Sequence, residues 1–254
     1  MSKTRIGVIA GLIMIGAVVT GIPHALPADA TSPARAPSSI LNLTNWELEV
    51  PVIAKGADHP EQVRWPQLQT YSNHTFFHLN SARNGVVFWV NVGGAIIPNS
   101  QFARTELRQM TDNGSQKVWW SNTHGTHTMT IREAIVHLPK VHPALAVAQL
   151  HAKTHYFVIV LLDGTRLWVK TYKEPGRVLT ENYRLGTVFT IKLVTAGGRV
   201  LVYYNGALKV EIAQTCNTCY FKAGAYLQDN LRYGDKPSAF GKVVMYSIEV
   251  SYRS

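Results

Sequence analysis

Three short stretches of this chain combine side chains that hold anions with side chains that move protons. Successive side chains of a β-strand point to opposite faces. Over residues 102–110 that alternation puts Arg104, Glu106 and Arg108 on one face and Thr105 and Leu107 on the other. Over 148–152, Gln149 and His151 share a face, with Leu150 opposite. Over 220–228, Tyr220, Lys222, Tyr226 and Gln228 lie on the side of Gly224, while Phe221, Ala223, Ala225 and Leu227 point the other way. Each stretch therefore has an apolar side suited to a core. Its other side carries cations, amides, imidazole or phenol, with a single carboxylate among the three. Guanidinium, ammonium and amide groups bind anions, and an imidazole or a phenol can take or give a proton. On one strand alone, a solvated face with incidental ion pairing would explain as much. Glu106 could simply hold Arg104 and Arg108, His151 could be structural, and Lys222 could be an edge charge. The chemical reading depends on the three strands being neighbours.

The rest of the chain reads as the scaffold such strands need. It has 254 residues, 46% of them apolar and 10% aromatic, enough for a packed core. From Leu41 onward, short β-rich runs alternate with turn signals. Asn205-Gly206 separates two apolar runs, the strongest short hairpin signal, and Asp163-Gly164 does the same between 156–162 and 165–170. Asn84-Gly85, Asp112-Asn113-Gly114 and Gly197-Gly198 mark further turns. Residues 142–153 contain several alanines, but Pro143 and the alternation after Val147 favour a strand. Neither an internal repeat nor a midway linker is visible. The expectation is one all-β domain over 41–254, built as a sandwich of two antiparallel sheets.

Ahead of it, Lys3 and Arg5 precede an apolar run that ends before Pro23, Pro27 and Ala28-Asp29-Ala30, the pattern of a secretory signal peptide over 1–30. The run is shorter than the roughly 20 residues that span a bilayer. Residues 31–40 read as a flexible leader. The whole chain has 25 basic and 15 acidic residues, a net charge of +10, which suits a polyanionic partner: nucleic acid, an acidic glycan or a membrane surface. The only cysteines, Cys216 and Cys219, cannot supply a four-ligand zinc site by themselves. In an exported protein they are either a local disulfide or two free thiols.

Arg104-Thr105-Glu106-Leu107-Arg108, Gln149-Leu150-His151 and the run from Tyr220 to Gln228 resemble the three signature blocks of the family seven alginate lyases, and in that order. The likeness extends over about 41–252 through Leu43-Thr44-Asn45-Trp46, Gly85-Val86-Val87-Phe88, Val92-Gly93-Gly94-Ala95 and Asn182-Tyr183-Arg184-Leu185-Gly186-Thr187. The resemblance implies a jelly-roll sandwich with a concave substrate groove, and endolytic cleavage of 4-linked uronates. Carried over position by position, it assigns Arg104, Gln149, His151 and Tyr226 to catalysis. It assigns Glu106, Arg108, Tyr220, Lys222 and Gln228 to the groove. No metal and no cofactor are implied. Two positions depart from the family pattern: Leu150 stands where Ile or Val is usual, and Leu227 where Asn is commoner. Leu150 is closer in size to Ile, which leans toward a guluronate-containing substrate. Leu227 is expected to face the core.

β-Elimination requires these residue types. Removing the C5 proton pushes negative charge onto a group that is already anionic, so the carboxylate must first be neutralised. Arg104 and Gln149 can do this by charge and hydrogen bonding. A base then takes the proton and an acid supplies the departing O4. A free phenol, with a pKa of about 10, is a poor base at neutral pH, though neighbouring cations favour the phenolate. Imidazole, near 6.5, is the other candidate. Mannuronate has H5 and O4 on the same side of the ring, so Tyr226 could handle both transfers. Guluronate has them on opposite sides, which suits His151 as base and Tyr226 as acid.

Other classes fit less well. A glycoside hydrolase needs paired carboxylates, and Glu106 is the only one in the three blocks. The pairs His124/His127 and His151/His155 lack a convincing further metal ligand. Nucleic-acid binding would use the same charge, but the export signal and the three blocks argue against it. A lectin-like module that binds acidic polysaccharide without turnover is the serious rival, with Trp119 or Trp120 stacking on sugar. The expected partner is an anionic polysaccharide. Neither nucleic acid nor, after signal cleavage, membrane is expected, and the protein is expected to be secreted and monomeric.

Overall fold

A computed structural model describes Met1, residues 35–172 and residues 175–254. The expected signal peptide, and 31–34 of the expected leader, lie outside the described residues. The remainder of that leader is not loose. Pro37–Ser39 form a 3-10 turn with Pro37 buried, and Ser38 Oγ donates to the Gln69 carbonyl at 2.5 Å. The packed unit thus begins ahead of the boundary expected at residue 41, within a compact unit spanning Ala34–Ser254.

The described chain is built almost wholly from strands. In order they are β1 (Trp46–Ile53), β2 (Pro60–Arg64), β3 (Phe77–Leu79), β4 (Val86–Asn91), β5 (Arg104–Thr111), β6 (Gln116–Lys117), β7 (Thr126–His137) and β8 (Ala144–His151). There follow β9 (Tyr156–Asp163), β10 (Arg166–Thr171), β11 (Arg177–Thr180), β12 (Phe189–Ala196), β13 (Arg199–Tyr204), β14 (Ala207–Ala213), β15 (Tyr220–Leu227) and β16 (Phe240–Arg253). One antiparallel sheet runs β11-β10-β9-β8-β15-β5-β1-β2, with β6 added to β5. The other runs β14-β13-β12-β7-β16-β4-β3. This is the two-sheet sandwich that the alternating pattern predicts.

The core lies between the sheets. Leu107, Leu150, Phe221, Ala223, Ala225 and Leu227 from the first sheet meet Phe88, Met129, Ile131, Phe189, Leu193 and Met245 from the second. Leu227 faces this core, as expected. Thr105 also points inward, where its hydroxyl donates to the Trp89 carbonyl at 2.6 Å and ties β5 to the opposite sheet.

The expected turns form where predicted. Asn205 and Gly206 both take positive φ, 49° and 83°, between β13 and β14, the two-residue hairpin geometry that Asn-Gly tolerates at least cost. At Gly224 (φ 141°) the demand is steric as well: a Cβ would lie 2.6 Å from the Thr105 carbonyl oxygen and 2.9 Å from Glu106 Cα. Glycine there lets β15 press against β5 while shifting its register against β8 between Ala223 and Tyr226. Cys216 and Cys219 are joined in a disulfide just before β15, which resolves the open alternative. Between β1 and β2 only 54–59 are loop, since Pro60–Arg64 is the edge strand β2.

Candidate active site

β15 lies between β5 and β8, so the three chemical stretches are neighbours. Register does the rest. Lys222 stands opposite Arg108 on one side and Gln149 on the other. Tyr226 faces Arg104, and Tyr220 faces His151. All these side chains project from the outer face of the first sheet, away from the core.

At the centre is Glu106, only 1% exposed. Its Oε2 accepts from Lys222 Nζ at 2.5 Å and from Arg104 Nη1 at 3.3 Å, and its Oε1 accepts from Gln149 Nε2 at 2.5 Å. This corrects the expectation that Glu106 lines the substrate surface. Arg104, Lys222 and Gln149 cover it, leaving almost no area for a ligand to touch. Burial alone would raise its pKa, but Lys222 and Arg104 more than offset this and hold the carboxyl below its ordinary value. Two cations thus share one ionised carboxylate, and Glu49 is a second acid beside Arg104.

Arg104 is held from several directions. Its Nη2 donates to Ser100 Oγ at 2.7 Å, and its Nε lies 3.4 Å from Glu49 Oε1. Its guanidinium lies over the Tyr226 ring, 3.8 Å from the centroid. The Tyr226 hydroxyl is 3.5 Å from the same Ser100 Oγ, and the side chain is part-exposed. A buried planar cation and a part-exposed phenol are therefore in contact.

Across β15, His151 Nδ1 sits 2.5 Å from the Ala152 carbonyl oxygen and 3.0 Å from the Tyr220 hydroxyl. A carbonyl only accepts, so Nδ1 carries the hydrogen of the neutral ring and Nε2 keeps its lone pair. Burial, followed by the nearby charge of Lys222, pushes His151 down to about 4. A lowered pKa in the folded state means that the stability this group contributes is present above its unfolded value near 6.5 and is lost as pH falls through about 4. The imidazole is thus expected to stay neutral at pH 5 and to protonate with a midpoint near 4. An NMR titration of His151 checks this, and a midpoint at or above 6.5 would contradict it.

Arg108 lies beneath an aromatic pair, 4.2 Å from the Tyr220 ring centroid and 4.8 Å from that of Trp119. Trp119 is 42% exposed and Trp120 only 9%, so of the two only Trp119 is open to a ligand. Gln228 is not drawn into the cluster. It follows β15, and its Nε2 donates to its own neighbour, the Leu227 carbonyl, at 2.9 Å. Of the histidine pairs, His127 stacks on Trp120 and His155 on Phe157 and Tyr172. Among the described residues no group of three or more His, Cys, Asp or Glu is placed to hold a metal ion.

Sequence reading missed Glu47 and Glu49 on β1. Glu49 stands opposite Glu106, and Glu47 accepts from Arg64 Nε at 2.5 Å. The signal was available: Glu47-Leu48-Glu49-Val50 alternates acid and apolar residues as clearly as β5 alternates cations and apolar ones. Ser100 carried no comparable signal, since it lies on a loop with no periodicity.

Comparison with known proteins agrees with this arrangement. A family model described as alginate lyase matches residues 41–252. An alginate lyase of polysaccharide lyase family 7 superposes with a TM-score of 0.83 at 39% identity, covering 86% of this chain and 99% of that one. The alginate lyase from Corynebacterium sp. gives 0.82 at 37% identity, covering 87% and 100%. An alginate lyase of Klebsiella pneumoniae is 33% identical over 95 residues, a stretch that spans 37% of this chain and only 30% of that curated relative. The matched region contains β5, β8 and β15 in full, together with every side chain of the Glu106 cluster. By its fold, its sequence and the strands that build its site, this chain belongs to the alginate lyases of polysaccharide lyase family 7.

Proposed function

We propose that this protein is an exported, monomeric enzyme that cuts within chains of 4-linked uronates, most suitably alginate, by β-elimination. One observation carries the reading. Arg104 and the Tyr226 phenol lie in contact at 3.8 Å, beside a cation-rich buried hub, with a neutral imidazole one strand away. Arg104, whose guanidinium lies over the Tyr226 ring, meets the uronate carboxylate, and Gln149 adds a donor. Acidity at C5 then rises, because charge delocalised onto the carboxylate is stabilised. His151 Nε2, or Tyr226, removes H5; the C5–H electrons form the C4=C5 double bond as the C4–O4 bond breaks. Tyr226 delivers a proton to O4, and its part-exposed position beside open solvent suits that role. An open outer face that admits a chain part-way along its length is what internal cleavage requires.

The direct test is the ultraviolet absorbance of the new C4=C5 bond on incubation with alginate, with product sizing for internal cuts. A polysaccharide-binding module without turnover would give no absorbance. Stereochemistry divides the base role: His151→Ala is expected to cost on the order of a hundredfold or more in kcat on polyguluronate and far less on polymannuronate. Equal losses on the two homopolymers would refute the division.

A further inference from the structure

The segment that follows β15 carries two acids that the site does not use. Asp229 is fully buried, and neither of its carboxyl oxygens has a well-formed hydrogen-bond partner. What faces it is Asp235, itself 8% exposed. Asp235 is well held: its Oδ2 accepts from the Val141 and His142 amides, each at 2.9 Å. Two carboxylates out of water repel each other, and neither has a donor to offer. With a single proton between them they become a hydrogen-bonded acid and anion instead. We propose that Asp229 and Asp235 form a proton-operated latch: one shared proton closes the 229–235 loop on its neighbours, and loss of that proton loosens it.

The loop is placed to pass this on to the site. Asn230 Nδ2 donates to the Gln101 carbonyl at 3.4 Å, and the Tyr233 ring stacks on Phe102, 6.4 Å between centroids. Phe102 in turn packs edge-on against Tyr226 at 6.1 Å. On the same segment, Ser100 touches both Arg104 and the Tyr226 hydroxyl. The loop that holds the acid pair therefore clasps the segment that backs the phenol. Burial, followed by Asp235, raises Asp229 to about 6, against the opposing pull of His142 and the Asn230 amide. At Asp235 the His142 and Val141 amides outweigh burial and keep the carboxyl below its ordinary value, so it is the anion of the pair. The other ionisable groups around the pair are His137 at the end of β7, Lys140 before β8, and Arg232 and Lys236 on the loop itself. A raised carboxyl contributes stability that is present below its ordinary value and is lost as pH rises through about 6. The latch is therefore closed in mild acid and loose above neutrality. Only its effect on turnover rests on the proposed function; the latch itself does not.

Asp229→Asn puts a permanent amide donor beside Asp235, so it should hold the latch closed at every pH, whereas Asp229→Ala should leave it loose. Thermal melts between about pH 5 and pH 8 read the latch without substrate. Asp229→Asn is expected to melt with the parent at the acid end and roughly 3–6 °C above it at the alkaline end, with the change centred near 6. On alginate, kcat of Asp229→Asn relative to the parent should rise over the same range from near parity to on the order of threefold. Asp229→Ala should turn over slowly throughout. A Tm gap and a rate ratio that stay constant across this range would overturn the latch. So would an inflection that survives in Asp229→Asn, since it would belong to His142. Added calcium that lifts the parent's Tm as far as Asp229→Asn does would put a cation, and not a proton, between the acids, and would equally overturn it. Melts that behave as expected beside absent turnover would fault the proposed function and leave the latch standing.

Discussion

Tyr226→Phe is expected to lower kcat by about 10²–10⁴ on both polymannuronate and polyguluronate, the range for loss of a positioned proton donor. Both are affected because both routes need a proton at O4, whichever group takes the one from C5. The fold should not notice. The ring keeps its place against Ala146, Ile159 and Leu161, at 6.1 Å from the Phe102 ring and beneath Arg104. Only a 3.5 Å contact with Ser100 Oγ is lost. Initial rates of double-bond formation, taken beside a thermal melt, test this. Activity above a tenth of the parent on either homopolymer would remove Tyr226 from the acid role. A large fall in Tm would mean that the hydroxyl is structural.

Glu106→Ala is expected to act first on stability. It strips the shared carboxylate from Lys222, Arg104 and Gln149, leaving Lys222 buried without its ion pair and Arg104 with Glu49 alone. Breaking a buried ionic group from one side costs roughly 3–5 kcal/mol, which in a domain of this size corresponds to a fall in Tm of roughly 10–15 °C. Glu106→Gln keeps the shape and the contact with Gln149 but not the charge, so a smaller loss is expected. pH supplies the check. The folded-state pKa of Glu106 is lowered, so its stabilisation is present above the ordinary carboxyl value and is lost as pH falls through the folded one. The gap in Tm between parent and Glu106→Ala should therefore narrow in acid. A gap that stays constant from neutral pH down to pH 3 would show that packing, and not charge, accounts for the loss.

These two residues show how legibility divides. Alternation along a strand is local, a matter of successive Cβ atoms pointing opposite ways. It was enough to place Arg104, Gln149, His151, Lys222 and Tyr226 on outward faces and Leu107, Leu150 and Leu227 inside. Turn chemistry is equally local, which is why Asn205-Gly206 sits where it was expected. Strand adjacency is not local. That β15 lies between β5 and β8 follows from hydrogen bonding between segments more than forty residues apart, and only the folded sheet brings the three stretches together.

By itself, then, the sequence determined a two-sheet sandwich, the outward-facing set of cations, imidazole and phenol, and the family blocks that contain them. The tertiary structure decided the rest. It made Glu106 a covered hub, added Glu49 and Ser100 around Arg104, left Gln228 aside, lowered His151 and set Asp229 against Asp235. The physical reason is that burial, electrostatic environment and cross-strand register belong to pairs of segments, whereas facing and turning belong to one segment at a time.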